Sequence, residues 1–293
     1  MNGAIIHYYF LKKVIDKVPT RMKSEFELTD DLIFNYANFN SSGEFYKLFN
    51  PIRIDKYKLH NKLNSKELFK FILECIIKVK KTDEAINIPF IYGMISHYVL
   101  KKELDKYLNA LMTDKTSLYK AYNMLDYFYA LKEYKFDLSK NPLTKLFKNA
   151  YTYYDYQDEL IHTPCIKVFK FFSSKIYFEK CMKRKKFFYK HMTLPKMRIK
   201  RIGYFFYDLI FNHKGKVKAK DYIYHSKMDT RLLNMTKKEY EINYVKYNYS
   251  FEEVINNTLD ETMVYINAIN DYLFLNKEKG LKKAFNINDE FEL

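Results

Sequence analysis

An all-α fold, a multi-helix bundle in a single domain over 1–293, is what this sequence predicts, and three observations carry that expectation. The 293 residues include only 6 Gly and 6 Pro, so breakers are too sparse for a loop-rich or hairpin-rich design. Apolar residues recur at spacings of three and four along most of the chain, and no run of strand period competes with them. Apolar residues make up 48% and aromatics 18%, which excludes disorder and supplies a core without metal or disulfide staples.

The elements follow in chain order. Ile5, Ile6, Phe10, Val14 and Val18 share one face of a first helix over 4–18, which Pro19 ends. A short helix over 29–38 takes Thr29 or Asp30 as N-cap, and the stretch 38–43, Asn-Phe-Asn-Ser-Ser-Gly, reads as a loop. Ser65 caps a helix whose apolar face is Leu68, Phe69, Ile72, Leu73, Ile76 and Val79. Pro89 fits the first turn of the next helix, which carries Ile91, Ile95, Tyr98 and Val99 and runs on past Lys102. Another helix over 117–133 buries Leu118, Leu125 and Phe128. Two basic, aromatic-rich helices are expected over about 157–191 and 196–213, separated by Pro195. Ser250 and Glu253 have the spacing of a capping box, opening a last helix striped by Phe251, Val254, Ile255, Leu259, Ile266, Ile269 and Leu273. No internal repeat or low-complexity linker divides the chain.

Charge is distributed unevenly. The chain holds 51 Lys plus Arg against 35 Asp plus Glu, a formal net charge of +16. Between Lys167 and Lys220 stand 17 of those cations and two acids, Glu179 and Asp208. Six of the 51 cations are Arg; an AT-rich coding sequence would favour Lys, Tyr, Phe, Asn and Ile in the same way, but the field is physical whatever its origin. A solvated helix face is the ordinary meaning of such a stripe. Its concentration also fits a binding module: Lys183, Arg184, Lys185, Lys186, Lys190, Arg198, Lys200 and Arg201 would grip phosphates of nucleic acid or of an anionic lipid surface. Neighbouring Phe and Tyr would then stack on bases or dip into headgroups.

Compartment follows from what is missing. The N-terminus lacks a basic start with an apolar core and a small-residue cleavage site. The longest mostly apolar run, 86–100, is short of the roughly 20 residues needed to span a bilayer. Cys75, Cys165 and Cys181 are odd in number and form no Cys-x-x-Cys pair, so neither a disulfide framework nor a thiolate zinc site is indicated. The expected location is cytoplasmic, with a peripheral position at a membrane left open by the charge.

Several chemistries are excluded by motif. There is no G-x-x-x-x-G-K-[ST], no G-x-G-x-x-G, no G-x-S-x-G and no H-E-x-x-H, so an NTPase, a serine hydrolase and a zincin find no support. What remains is the segment Ile91-Tyr-Gly-Met-Ile-Ser-His-Tyr-Val-Leu100, followed by Lys101-Lys-Glu-Leu-Asp-Lys-Tyr-Leu108. It resembles a helix of the bacterial zinc-dependent phospholipase C family, in which Tyr-Gly-x-x-x-His-Tyr-x-Leu-Asp precedes His-Pro-Tyr. Ile6-His7-Tyr8, Leu59-His60 and Ser250-Phe251-Glu252-Glu253-Val254 resemble further pieces of that family in the same order. Most of the chain is covered in ordered pieces, and the segment around His97 is the specific one.

The resemblance implies an all-helical domain whose helices present His, Asp and Glu to a cluster of two or three zinc ions, which supply hydroxide and stabilise charge on a phosphodiester. His7, His60 and His97 fall on ligand positions, and Asp105 stands where the family has His and could still ligate. The departures are chemical. The family's Asp one helical turn after its helix His, on the same face, is Lys101 here. Its Pro-Asp loop ligand falls within 38–42, where no carboxylate stands. Its His-x-x-x-Glu pair ahead of Asp126 is met by Leu118 and Tyr122. An ammonium about 4 Å from a cation costs on the order of 4 kcal/mol per charge at an effective dielectric of 20.

A degraded centre is therefore expected, with hydrolysis of phosphoesters weak or lost and zinc limited to one ion at most. Its remnant ligands are His7, His60, His97 and Asp105, and Lys101 supplies the positive charge of the missing metal, pairing with Asp105 or another acid in the old pocket. Apart from the resemblance, His7 and His97 read as buried, hydrogen-bonded imidazoles and His60 as solvated in a basic loop. His162, His191, His213 and His225 read as surface or capping residues. A purely structural descendant that binds neither metal nor polyanion is the third possibility.

Overall fold

The computed structural model describes residues 3–24, 26, 28–42, 58–82, 84–112, 118–171, 175–191, 224 and 229–286. The expected helix over 196–213 lies outside these residues, and with it Arg198, Lys200, Arg201, His213 and His225. The described chain is an all-α bundle: α1 (Ala4–Lys17), α2 (Asp30–Ala37), α3 (Lys58–Leu63), α4 (Glu67–Thr82), α5 (Ile88–Leu111) and α6 (Leu118–Tyr134). Then come α7 (Asp155–Phe169), α8 (Lys175–His191), a hairpin of β1 (Tyr240–Ile242) and β2 (Val245–Tyr247), α9 (Phe251–Leu275) and α10 (Glu278–Phe285). Among the described residues no helix is long and apolar enough to cross a membrane.

Helix ends form where the local chemistry asks for them. The Thr29 hydroxyl accepts from Leu32 N–H at 3.3 Å to start α2, Pro89 occupies the first turn of α5, and Ser250 and Glu253 cap α9 reciprocally. α5 is the axis of the bundle. Residues 88–97 are buried without a break, as expected of a helix apolar on every side, and α5 packs against α1, α2, α4, α6 and α9. Gly93 permits the closest of these approaches: a Cβ there would lie 2.6 Å from the carbonyl oxygen of Tyr36 on α2.

Four details differ from the sequence expectation. The basic helix over 157–191 is two helices, because Lys170 takes a left-handed conformation (φ 53°, ψ 36°) and its N–H turns back to the carbonyls of Cys165 and Ile166. The stretch 38–43 contains a buried turn over Phe39–Ser41 instead of an open loop. Its polar side chains satisfy backbone groups that water cannot reach: the Asn40 amide donates to Leu63 O at 3.2 Å and Met94 O at 2.9 Å. His60 stands in α3 and not in a loop, with its side chain outside the described atoms. A two-stranded antiparallel hairpin pairs Tyr240 with Tyr247 and Ile242 with Val245. Its turn residues, Asn243 and Tyr244, both have positive φ, as a two-residue hairpin connection requires.

Candidate functional site

Two helix ends of opposite polarity meet inside the bundle. The N-terminus of α1 brings unpaired N–H groups and the C-terminus of α2 brings unpaired carbonyls, and both sets need partners once buried. Gly3 starts α1 with φ +71°, against the ring of Tyr122. Asp126 on α6 answers the first set: its Oδ1 accepts from the N–H groups of Ile5 and Ile6, each at 3.0 Å, and its Oδ2 accepts from the Tyr224 hydroxyl at 3.3 Å. Burial raises the Asp126 carboxyl to about 7, against the opposing pull of those backbone donors.

Three groups answer the carbonyls of α2. Asn38 donates its amide to Phe34 O at 3.0 Å and to Ala4 O at 3.1 Å, tying the two helix ends together. His97 Nδ1 lies 2.7 Å from Ala37 O; a carbonyl can only accept, so that nitrogen carries the proton. Lys185 reaches in from α8 and donates from Nζ to Asn38 O at 2.9 Å. Its side chain is fully buried, 6.0 Å from the centre of the Phe34 ring, and burial lowers its ammonium to about 7. This corrects the assignment of Lys185 to a polyanion-gripping surface. The lysine sits in the stripe Tyr177, Phe178, Cys181, Met182, Phe188 and Tyr189, all buried.

The imidazoles of His7 and His97 stack in the same region, centroids 3.8 Å apart with planes inclined by 15°. Both are buried. Neither ring nitrogen of His7 has a hydrogen-bond partner among the described residues. Burial first, then His97 and the ammoniums of Lys101 and Lys185, hold His7 well below its ordinary pKa, so it is neutral. One turn beyond His97, Lys101 pairs with Asp105 Oδ2, while the buried Tyr122 hydroxyl donates to Asp105 Oδ1 at 2.8 Å. His162 is half-buried on α7, and His191 is exposed at the end of α8.

Positions 7, 97, 101, 105 and 122 thus share one region, with His7, His97 and Tyr122 buried and the Lys101–Asp105 pair at its partly exposed edge, although they come from α1, α5 and α6. The side chains there do not fit a zinc centre. A metal lies in the plane of each imidazole that binds it, and two rings stacked face to face cannot both place one ion in plane. Both oxygens of Asp105 are already engaged, by Lys101 and by the Tyr122 hydroxyl. Among the described residues no group of three or more His, Cys, Asp or Glu is placed to hold a metal. The arrangement neutralises helix ends and buried charges with fixed side chains. Asp126 and Lys185 were the residues the sequence did not assign to it.

Compared with known proteins, the chain matches no family model, no curated protein and no solved structure.

Proposed function

We propose that this chain is a divergent zinc-dependent phospholipase C-like protein of phosphoester-hydrolase ancestry, in which a network of side chains has replaced most of the metal centre and hydrolysis is weak or lost. One observation carries the reading. His7, His97, Lys101, Asp105 and Tyr122, five of the residues at positions where the resemblance implies ligands, gather from three helices, yet they form a Lys101–Asp105–Tyr122 chain beside two stacked, buried imidazoles. An ammonium where a ligand carboxylate would stand supplies the local positive charge without an ion. The buried ends of α1 and α2 beside this chain are met by Asp126, His97 and Lys185.

Elemental analysis of chain purified without chelator, paired with a phosphodiester hydrolysis assay in the presence of added zinc, tests this. The reading expects at most one zinc per chain and weak or no turnover, any residual turnover being lost in His97→Ala. Two or more zinc ions per chain, or turnover retained in a folded His97→Ala, would overturn it.

A further inference from the structure

The outward face of α8 combines cations and apolar groups in an order that the interior network does not use. Tyr177, Phe178, Cys181, Met182, Lys185, Phe188 and Tyr189 point inward, so at about 100° per residue the opposite arc is centred on Ile176, Lys183 and Phe187. Ile176 is 62% and Phe187 50% exposed. Lys180 and Lys190 flank that line about 40° to either side; Lys183, Lys186 and both flanking lysines are exposed. None of these four lysines makes an ion pair within the described residues, in contrast to Lys175, which is held by Asp155. The acid closest to this face along the helix, Glu179, is half-buried.

From this we infer that the α8 face is a docking surface for an anionic lipid bilayer. Charge complementarity selects a polyanion, and the two apolar side chains select which one. Phe187 and Ile176 stand about 16 Å apart along the middle of the face, where a phosphate backbone would leave both against a polar surface. An aliphatic side chain offers no stacking platform to a base. A headgroup layer accepts both, because aliphatic and aromatic groups enter the acyl boundary while flanking lysines lie along the helix and keep their ammoniums among lipid phosphates. The cations are also of the right type. Exposed lysines act as point charges suited to diffuse anionic surfaces, whereas the forked donor that favours bidentate phosphate recognition is represented on α8 by Arg184, half-buried at the edge of the arc. The inference does not depend on the ancestry proposed above: it uses no residue of the interior network, and its test involves neither metal nor hydrolysis.

Co-sedimentation of the full chain with vesicles tests it, using pure phosphatidylcholine and phosphatidylcholine with about a third phosphatidylserine, at low and high salt. A labelled single-stranded RNA is titrated in parallel. The expected result is binding to the serine-containing vesicles at low salt, weak binding to the neutral ones, and weaker binding to RNA than to lipid. Removing each lysine should weaken vesicle binding about fivefold, so Lys183→Glu with Lys186→Glu and Lys190→Glu should cost more than a hundredfold. Phe187→Ser should cost several-fold at every salt concentration without changing the salt slope. Both variants alter exposed side chains, and unchanged circular dichroism and melting confirm that they fold. Equal binding of the triple variant, equal binding to neutral vesicles, or RNA binding tighter than vesicle binding and indifferent to Phe187→Ser would each overturn the assignment.

Discussion

Lysines on the two faces of α8 have opposite surroundings although they are neighbours in sequence. Lys183 is exposed to water, while Lys185, two residues on, is buried against Asn38 O with its ammonium lowered to about 7. The difference teaches that residue type and local charge density do not assign a lysine to a surface; its place in the apolar stripe does. On the outer face the cation costs the fold nothing and is available to a partner. On the inner face the same group serves the C-terminus of α2, at the expense of its own hydration.

Charge reversal gives the largest contrast. Lys185→Glu would place a carboxylate against the carbonyl end of α2, where both the helix dipole and the Asn38 oxygen repel it. We expect a loss above about 4 kcal/mol, enough to leave much of the chain unfolded. Lys183→Glu should change stability by no more than about 0.5 kcal/mol. Urea titrations of the two variants make the comparison, and similar losses would dissolve the distinction between the faces.

Asp126 is the anionic counterpart of Lys185, set at the start of α1 as the lysine is set at the end of α2. Asp126→Ala strands the N–H groups of Ile5 and Ile6 in a dry interior and removes the acceptor of Tyr224. Unmade buried hydrogen bonds cost about 1–3 kcal/mol each, and allowing for shared relaxation we expect about 3–5 kcal/mol in chemical unfolding. A loss below 1 kcal/mol would mean that the carboxylate does not cap α1.

Much of this was legible before the fold was known, and the failures have physical reasons. The α9 capping box, the N-cap of α2 and the proline in the first turn of α5 are local signals, decided by a few neighbouring residues. The pairing of Lys101 with Asp105 is also local, one helical turn along α5. The break at Lys170 depends on a left-handed conformation taken by a residue with no glycine-like preference for it. The hairpin has strands of three residues and an Asn-Tyr turn, too short for a period and without the usual glycine. Asp126 and Lys185 act on helix ends roughly 120 and 150 positions away in sequence, so no local pattern reports them as a pair. Lys185 did carry one usable mark, as the single charged residue among the buried positions of α8.

pH separates the two faces by a smaller amount. In the folded chain Lys185 titrates at about 7 instead of 10.5, so above pH 7 the unfolded chain holds a proton that the folded chain has released. Stability then rises with pH, by up to about 1.4 kcal/mol per unit. Asp126, raised from 3.8 to about 7, acts oppositely but lower: its contribution falls between about pH 4 and 7 and is flat above. The lowered pKa of His7 makes its contribution rise only up to about 6.5. Cys75 and the buried tyrosines, all raised, turn the curve downward only above about pH 9. Between pH 7.5 and 9 the native chain should therefore gain about 1–2 kcal/mol relative to Lys185→Met. Asn38 O keeps the Ser41 hydroxyl at 2.8 Å in that variant, so the comparison isolates the amine. Parallel curves would give Lys185 an ordinary titration and remove its interior role.

Lys101 lies between the extremes and should give the smallest effect. Its side chain is 24% exposed and that of its partner Asp105 28%, so water screens the pair far more than it screens Lys185. In Lys101→Met the carboxylate keeps the Tyr122 hydroxyl and its share of solvent, while the methionine stem retains most of the packing of the lysine stem. The two sides nearly cancel, and the expected loss is below about 1 kcal/mol, the range of exposed ion pairs. Such pairs are weakened by salt, so the difference between native and variant chains should shrink further from 0.15 M to 1 M sodium chloride in urea titrations. A loss of several kcal/mol that salt does not change would move Lys101 into the class of Lys185, and the positive charge beside His7 and His97 would then be a requirement of the fold.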